Sequence, residues 1–182
     1  MSLEQVHALR NALLADARNA FTAAISSHSH ELLYGFALYT DDSASGVDVA
    51  FNSVEAFNDS VARPRSNSFE SFWFTVEWKY EGGFAAHFEQ SSRIIESMMP
   101  NYQDVSEYDL FRDDMFEAII YVMDKLVREG LFVQFRKPED SVIQIAISDS
   151  DDNEQYMDRS LKELNPTIVY ERYEAARLEA GY

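Results

Sequence analysis

The chain has 182 residues and no cysteine, and its 32 acidic and 15 basic residues give a formal net charge of −17. The absence of cysteine excludes disulfides, thiolate metal sites and cysteine nucleophiles, and the charge disfavours binding to nucleic acids or anionic membranes. The length fits one domain, residues 1–182. The sequence has no basic segment followed by an apolar run at its start and no run near the roughly 18 apolar residues of a membrane span, so we expect a soluble, cytoplasmic protein.

The N-terminal third predicts a long helix and then a hairpin. Over residues 2–27, apolar side chains fall three or four positions apart, and Ser2 with Gln5 has the spacing of a capping box. Residues 32–40 are an almost unbroken apolar run. After a cluster of turn formers, Val and Phe alternate with Asp and Ala over residues 47–51. This pattern is typical of two antiparallel strands joined by a turn.

The middle of the chain is less regular. The aromatic stretch 69–88 fits two local structures. Alternation of residue types favours a strand over 72–80, whereas Thr75 could cap a short helix that runs through Glu81 and is closed by the two glycines after it. Periodicity does not distinguish the two. Helices are predicted on either side of this stretch, over residues 54–61 and 89–98.

The next part of the chain predicts a second long helix and a second hairpin. Residues 106–129 carry an apolar stripe, with acidic residues in the first turns and basic residues in the last ones. Gly130 follows, so both the helix dipole and the C-terminal cap favour a helix here. Residues 132–135 and 142–147 then have the composition of strands on either side of a turn at 137–140.

Two more helices complete the predicted fold. One covers residues 154–164. The last begins at Asn165-Pro166, with asparagine as the cap and proline in the first helical position, and runs to about residue 179. Two hairpins covered by long amphipathic helices predict a single α+β domain with a predominantly antiparallel sheet.

The sequence contains no complete motif for catalysis or for metal binding. His28 and His30 could chelate a metal from an extended chain, but no third ligand has a telling spacing, and an exposed helix end explains them as well. The acidic run 149–153 resembles the start of a calcium loop. Its sixth and twelfth positions hold Glu154 and Ser160 where that loop needs glycine and glutamate. We therefore predict no metal site, no cofactor and no catalytic residue.

The most unusual local feature is the aromatic segment that holds both tryptophans, Trp73 and Trp78, together with Glu77 and Tyr80. Aromatic residues with a polar group are frequent in the hot spots of protein interfaces. The alternative is that these rings belong to the hydrophobic core. We take the four residues as candidate binding residues. To them we add the acidic side chains of the later loop, Asp149, Asp151 and Asp152.

Three segments resemble landmarks of a bacterial family known as domain of unknown function 4303. They are residues 34–41 (YGFALYTD), residues 73–81 (WFTVEWKYE) and residues 147–151 (ISDSD), the last continuing to Pro166. The family's tryptophan segment tends to read Trp-Ser-Pro-x-Glu-Trp, and this chain has neither the serine nor the proline. The family carries no established activity. The resemblance implies a role in a toxin–immunity locus, as an immunity protein.

Charge and resemblance lead to a first functional hypothesis. The chain is a non-enzymatic binding protein of immunity type that engages a basic protein partner such as a toxin, because acidic patches attract and select basic partners. Acidic residues are densest over residues 101–117, with six acidic and one basic, and over residues 138–163, with eight acidic and two basic.

Two alternatives remain open. The chain could be an enzyme or a small-ligand-binding protein whose pocket is built around segment 73–81, which predicts a concave site with convergent polar groups there. It could also be a structural homo-oligomer, which predicts an exposed apolar patch.

Overall fold

The computed structural model describes residues 2–100, 105–133, 137–148 and 153–182, which form seven α-helices and four β-strands. The helices are α1 (Leu3–Ser27), α2 (Val54–Val61), α3 (Ser68–Trp73), α4 (Glu89–Met98), α5 (Val105–Arg128), α6 (Asn153–Leu164) and α7 (Thr167–Ala180). The strands are β1 (Leu33–Asp41), β2 (Val47–Ser53), β3 (Tyr80–Glu81) and β4 (Val142–Ser148). Short 3-10 helices lie at Thr75–Glu77, Ala85–Phe88 and Pro138–Asp140. No helix of the described residues combines the length and apolar character needed to cross a bilayer.

The sheet is mixed, with the strand order β3-β2-β1-β4. The first predicted hairpin is confirmed, because β1 and β2 pair antiparallel with Phe36 opposite Phe51. β4 lies on the other side of β1 and pairs with it in parallel, from Gly35 opposite Val142 to Asp41 opposite Ser148. The predicted α+β fold with a predominantly antiparallel sheet from two hairpins is therefore wrong. The fold is mainly helical around one small mixed sheet.

The second hairpin fails for a physical reason. Phe132, assigned to its first strand, packs its ring against Phe21 (5.0 Å between centroids) and Phe36 (4.9 Å) in the core. Residues 134–136 lie outside the described residues. Every residue of β4 from position 142 to 147 is buried, as is typical of a strand in a parallel pair that is covered on both faces. The alternation of residue types along a strand does not reveal which other strand it will pair with.

The helical layer on one face of the sheet encloses the larger core. The strands direct alternate side chains to this face, where they pack against α1 and α5. These residues are Phe36, Leu38, Val49, Phe51, Ile143, Ile145 and Ile147. The start of α1 is as predicted, because Ser2 and Gln5 form a reciprocal capping box.

A buried carboxylate connects two helices of this layer. Asp16 of α1 is 6% exposed, and its Oδ2 accepts hydrogen bonds from the amide and the hydroxyl of Ser91, both at 2.9 Å. Ser91 lies in the first turn of α4, and Phe88 at the cap position provides no side-chain cap. Asp16 therefore caps α4 from another helix and places a negative charge at the positive end of its dipole.

The outer edge of β4 is closed by side chains from the region of α6. The amides of Ile143, Ile145 and Ile147 each donate a hydrogen bond to one of them. The acceptors, in the same order, are Asn165 Oδ1 (2.8 Å), Ser160 Oγ (3.0 Å) and Asn153 Oδ1 (2.8 Å). With these donors satisfied, the edge offers no free amide at these three positions to an incoming strand.

The side chain of Asn165 forms hydrogen bonds with β4 and does not cap the start of α7. Its Nδ2 also donates to the carbonyl of Ile143 at 2.6 Å, so the side chain pairs with this strand in both directions. α7 begins at Thr167, with Pro166 at the cap position. The predicted roles of asparagine as cap and proline as first helical residue are both wrong.

Candidate functional site

The tryptophan segment is attached to the second face of the sheet by buried and partly buried hydrogen bonds. The carbonyl of Phe72 accepts from the hydroxyl of Tyr34 and from Nε1 of Trp78, both at 3.2 Å. The next carbonyl, of Trp73, accepts from Nε2 of the fully buried Gln144 at 2.8 Å. Polar side chains of the sheet thus satisfy the carbonyl groups at the end of α3, which fixes the segment against the strands.

Neither of the two structures considered for this segment forms as predicted: residues 72–80 are not a strand, and Thr75 does not cap a helix that runs through Glu81. α3 ends at Trp73, a 3-10 turn spans Thr75–Glu77, and only Tyr80–Glu81 form a strand. The strand β3 pairs with the outer edge of β2, with Ala50 opposite Glu81.

Both indoles are buried, Trp73 with 2% and Trp78 with 4% of its surface exposed. Trp78 lies flat against Gly35 of β1, where an added methyl group would approach two indole carbons to 2.8 Å. Its other core neighbours are the small residues Ala37 and Ala50. Both indoles are therefore part of the hydrophobic core on this face of the sheet.

Glu77 and Tyr80 have different environments. Glu77 is exposed and follows directly on Val76, which is itself 73% exposed. The ring of Tyr80 is half-buried and stacks on Phe51 at 4.8 Å, and its hydroxyl donates to Glu31 Oε1 at 2.5 Å. Tyr80 thus points to the face with the larger core, away from both tryptophans.

Glu31, which was not among the residues predicted from the sequence, is a junction between α1 and the sheet. Its carboxylate accepts from the hydroxyls of Ser53 and Tyr80 and lies 3.6 Å from Nε2 of His30. Burial acts to raise the pKa of Glu31, but the hydrogen bonds from Ser53 and Tyr80 and the nearby charge of Lys79 outweigh it and lower that pKa. No local sequence signal marks this residue.

The lowered pKa gives a stability prediction. Glu31→Gln keeps one acceptor oxygen and loses the other, so we expect the free energy of unfolding at pH 7 to fall by about 1–2 kcal/mol. The wild type has this contribution above the ordinary pKa of 4.5 and loses it as the pH drops through the lower folded-state pKa. Urea unfolding of both proteins should show the difference shrinking as the pH falls below the ordinary pKa of 4.5. A difference that stays constant with pH would contradict the assignment, and Glu171→Gln on exposed α7 is the control.

The three acidic candidates Asp149, Asp151 and Asp152 lie outside the described residues. The residues that flank them in the sequence, Ser148 and Asn153, both line a cleft on the second face of the sheet. The lining of this cleft also includes Glu81, which lies in the tryptophan segment 73–81.

The cleft has a volume of about 620 Å³ and lies on the second face, at the carboxyl ends of the parallel strands β1 and β4. The end of β4 and the first turns of α6 form one wall. The opposite wall is Phe74 with the first two residues of the 3-10 turn that follows, Thr75 and Val76. The lining residues are Tyr39, Phe74, Thr75, Val76, Glu81, Ala146, Ile147, Ser148, Asn153, Glu154, Met157 and Tyr182. Both its volume and its location at the carboxyl ends of parallel strands are typical of ligand sites.

The polar groups of the cleft are acidic or neutral, and its lining among the described residues contains no lysine, arginine or histidine. Burial raises the pKa of Tyr39, and the carboxylates of Asp48 and Glu81 raise it further. Tyr39 and Asp48 are opposite each other in the β1–β2 ladder. The phenol is therefore protonated at neutral pH and lies in the field of two carboxylates.

The two carboxylates beside Tyr39 are held differently. Asp48 accepts a hydrogen bond from the amide of Val49 and from the three backbone amides of residues 83–85, yet burial still raises its pKa. Glu81 is exposed, and no ion pair to it is present among the described residues. Glu154, on the opposite wall, is paired with Arg177. Glu81 is thus the carboxylate of the lining that remains available to a ligand.

A second surface forms where α5 and α6 are in contact. Arg159 of α6 makes a bidentate ion pair with Glu117 of α5, and the hydroxyl of Tyr156 lies 3.3 Å from Asp113 Oδ1. We name the acidic residues of the two helices near this contact the α5–α6 acidic face. Four of them are exposed, namely Glu107, Asp109, Asp113 and Glu163, and two are half-buried, namely Glu117 and Asp158. Within the described residues, this contact brings together the two segments of the sequence in which acidic residues are densest.

The polar groups that line the cleft can hold a cation. Carboxylates and a protonated phenol can accept hydrogen bonds from a cation, and the carboxylates can neutralise its charge. In the part of the chain that the structure describes, no three His, Asp or Glu side chains are grouped so that they could hold a metal ion.

The fold and its two surfaces define a mainly helical protein with a small mixed sheet, a cleft rimmed by carboxylates and an acidic helical face. The chain belongs to the family described as Domain of unknown function (DUF4303), whose model matches residues 13–166. The match includes β1, the tryptophan segment and α6, so it contains both regions that flank the cleft. No curated protein and no solved structure matches the chain.

Proposed function

We propose that this protein is a non-enzymatic cytoplasmic binding protein that engages a basic protein partner through its α5–α6 acidic face. The observation that carries the proposal is the contact between α5 and α6, which joins acid-rich segments that are separate in the sequence. The family resemblance supports a specific form of this function, an immunity protein that neutralises a basic toxin.

The composition of the face supports a protein partner. Leu110, 63% exposed, and Val105, 67% exposed, lie on α5 among the carboxylates. Apolar side chains surrounded by polar ones are the usual anatomy of a protein interface. The carboxylates attract a basic surface and increase the association rate, and the apolar residues give contact area.

The proposal is tested by neutralising part of the face. The variant Glu107→Gln, Asp109→Asn, Asp113→Asn removes three exposed carboxylates of α5. Partners are captured on the immobilised wild type from a lysate of the source cells, identified, purified and remeasured. We expect a partner with net positive charge, an affinity that falls with salt, and binding about tenfold weaker to the variant at low salt.

A matched control removes the same charge elsewhere. Asp59→Asn, Glu96→Gln and Glu171→Gln change exposed residues of α2, α4 and α7. This control should bind the partner nearly as well as the wild type. Equal weakening in both variants would mean that only net charge matters, and recovery of a salt-insensitive partner or of none would contradict the proposal.

A further inference from the structure

We infer that the cleft at the carboxyl ends of β1 and β4 binds the cationic end of a lysine or arginine side chain, presented by the partner. The inference rests on the proposed function and deepens it, because it names the group that the partner inserts. It is carried by a different part of the molecule from the α5–α6 acidic face.

The cleft has an apolar part that fits the stem of such a side chain. Phe74 and Val76 on one wall lie opposite Met157 on the other. Lysine and arginine side chains have three or four methylene groups, which pack against apolar surface while the charged end remains hydrogen-bonded. The aromatic rings of Tyr39 and Tyr182, which also line the cleft, add faces over which a cation is favoured.

The polar part of the cleft fits the charged end. Glu81 has no ion-pair partner among the described residues, and Ala50 is its neighbour across the β2–β3 ladder. On the same face, Asp48 lies on β2 and Tyr39 lies opposite it on β1. The exposed carboxylate of Glu81 and the phenol of Tyr39 therefore give this part of the lining a negative potential that favours a cation over an anion.

The charged residues on the α6 wall of the cleft do not reverse this preference for a cation. An ion pair brings one basic residue, Arg177, next to the lining. Its guanidinium is bound to Glu154 Oε1 at 2.5 Å. Asn153, at the start of α6, already accepts from the amide of Ile147. Neither residue competes with a ligand for Glu81.

A small-molecule pair isolates the chemistry of the cleft. Butylguanidinium carries the charged end and a four-carbon stem, and butylurea is its neutral counterpart of almost the same shape. We expect butylguanidinium to shift the backbone NMR signals of Tyr39, Glu81 and Ser148 saturably in the millimolar range, as small ligands do, and butylurea to leave them unchanged. Absence of saturable shifts with butylguanidinium would overturn the inference.

Two substitutions test the assigned residues. Glu81→Gln keeps the shape and removes the charge, so we expect the affinity for butylguanidinium to fall about tenfold. Tyr39→Phe removes one acceptor and should weaken it about threefold. Glu171→Gln, at an exposed position of α7, is the matched control and should bind like the wild type. Loss of affinity in this control equal to that of Glu81→Gln would overturn the assignment to the cleft.

The source of the cation is decided with the partner. If the partner supplies it, Glu81→Gln weakens partner binding and butylguanidinium competes with the partner. If butylguanidinium binds but neither effect is seen, the cleft takes a free cation and the assigned source is overturned. If instead the α5–α6 variant binds the partner normally while Glu81→Gln does not, the proposed face is wrong and the cleft stands, so the two failures are distinguishable.

Discussion

Gly35→Ala is expected to destabilise the protein by about 1–3 kcal/mol, the cost of overpacking a well-packed core. The added methyl group would lie 2.8 Å from Cη2 and Cζ2 of Trp78, closer than van der Waals contact allows. The indole is 4% exposed and donates to the carbonyl of Phe72, so it cannot move without breaking that bond. Urea unfolding followed by tryptophan fluorescence measures the loss.

The chain has a matched glycine for this experiment. A methyl group at Gly46, in the loop of the first hairpin, would have no atom within 4 Å. Gly46→Ala should therefore leave the stability unchanged or raise it slightly, by reducing the entropy of the unfolded chain. In the double variant Gly35→Ala, Trp78→Phe the smaller ring should recover part of the loss. Equal stability of the two alanine variants would show that the indole is not seated on β1.

Removal of the carboxylate in Asp16→Ala is expected to lower the free energy of unfolding by about 2–3 kcal/mol. Asp16 is buried, and the amide of Ser91 would lose its acceptor, whereas the hydroxyl of Ser91 would retain the carbonyl of Phe88 at 3.1 Å. The first turn of α4 would also lose the negative charge that its dipole favours. The effect combines a lost cap with one backbone amide left unsatisfied in the core.

Three measurements separate these contributions. Asp16→Asn retains an acceptor oxygen and should cost less than Asp16→Ala. Ser91→Ala removes the hydroxyl but keeps the amide donor, so it should also cost less. Amide hydrogen exchange should show the largest loss of protection in α4. If the loss of protection were uniform over the chain, Asp16 would contribute to global stability without serving as the cap of α4.

The elements predicted correctly from the sequence are those that depend on neighbours along the chain. The capping box of Ser2 and Gln5 forms in α1, and the apolar run and turn formers of residues 32–51 form the β1–β2 hairpin. The extents of α2 and α4 are also as predicted. Helix periodicity, capping and turn chemistry act over three to six residues, so the sequence displays them directly.

The candidate site was predicted only as two separate segments. Residues 73–81 stood out by their aromatic content and residues 149–152 by their charge, but nothing in the sequence showed that Ser148 and Asn153 line the same cleft as residues 74–76. Trp73 and Trp78 are core residues that support this face, whereas the groups that line the cleft are Tyr39, Glu81 and their neighbours. Alternation marks which side of a strand a residue occupies, and it does not show where that side remains uncovered.

The acidic charge, the long amphipathic helices and the first hairpin were determined by the sequence alone, because composition and short-range pattern suffice for them. Three features were decided by the tertiary structure: the parallel pairing of β4 with β1, the capping of α4 by Asp16, and the meeting of the acid-rich segments on α5 and α6. Each joins residues far apart in the chain. Such contacts depend on which surfaces are complementary and on whether their packing offsets the entropy cost of closing a long loop. No local sequence pattern contains that information.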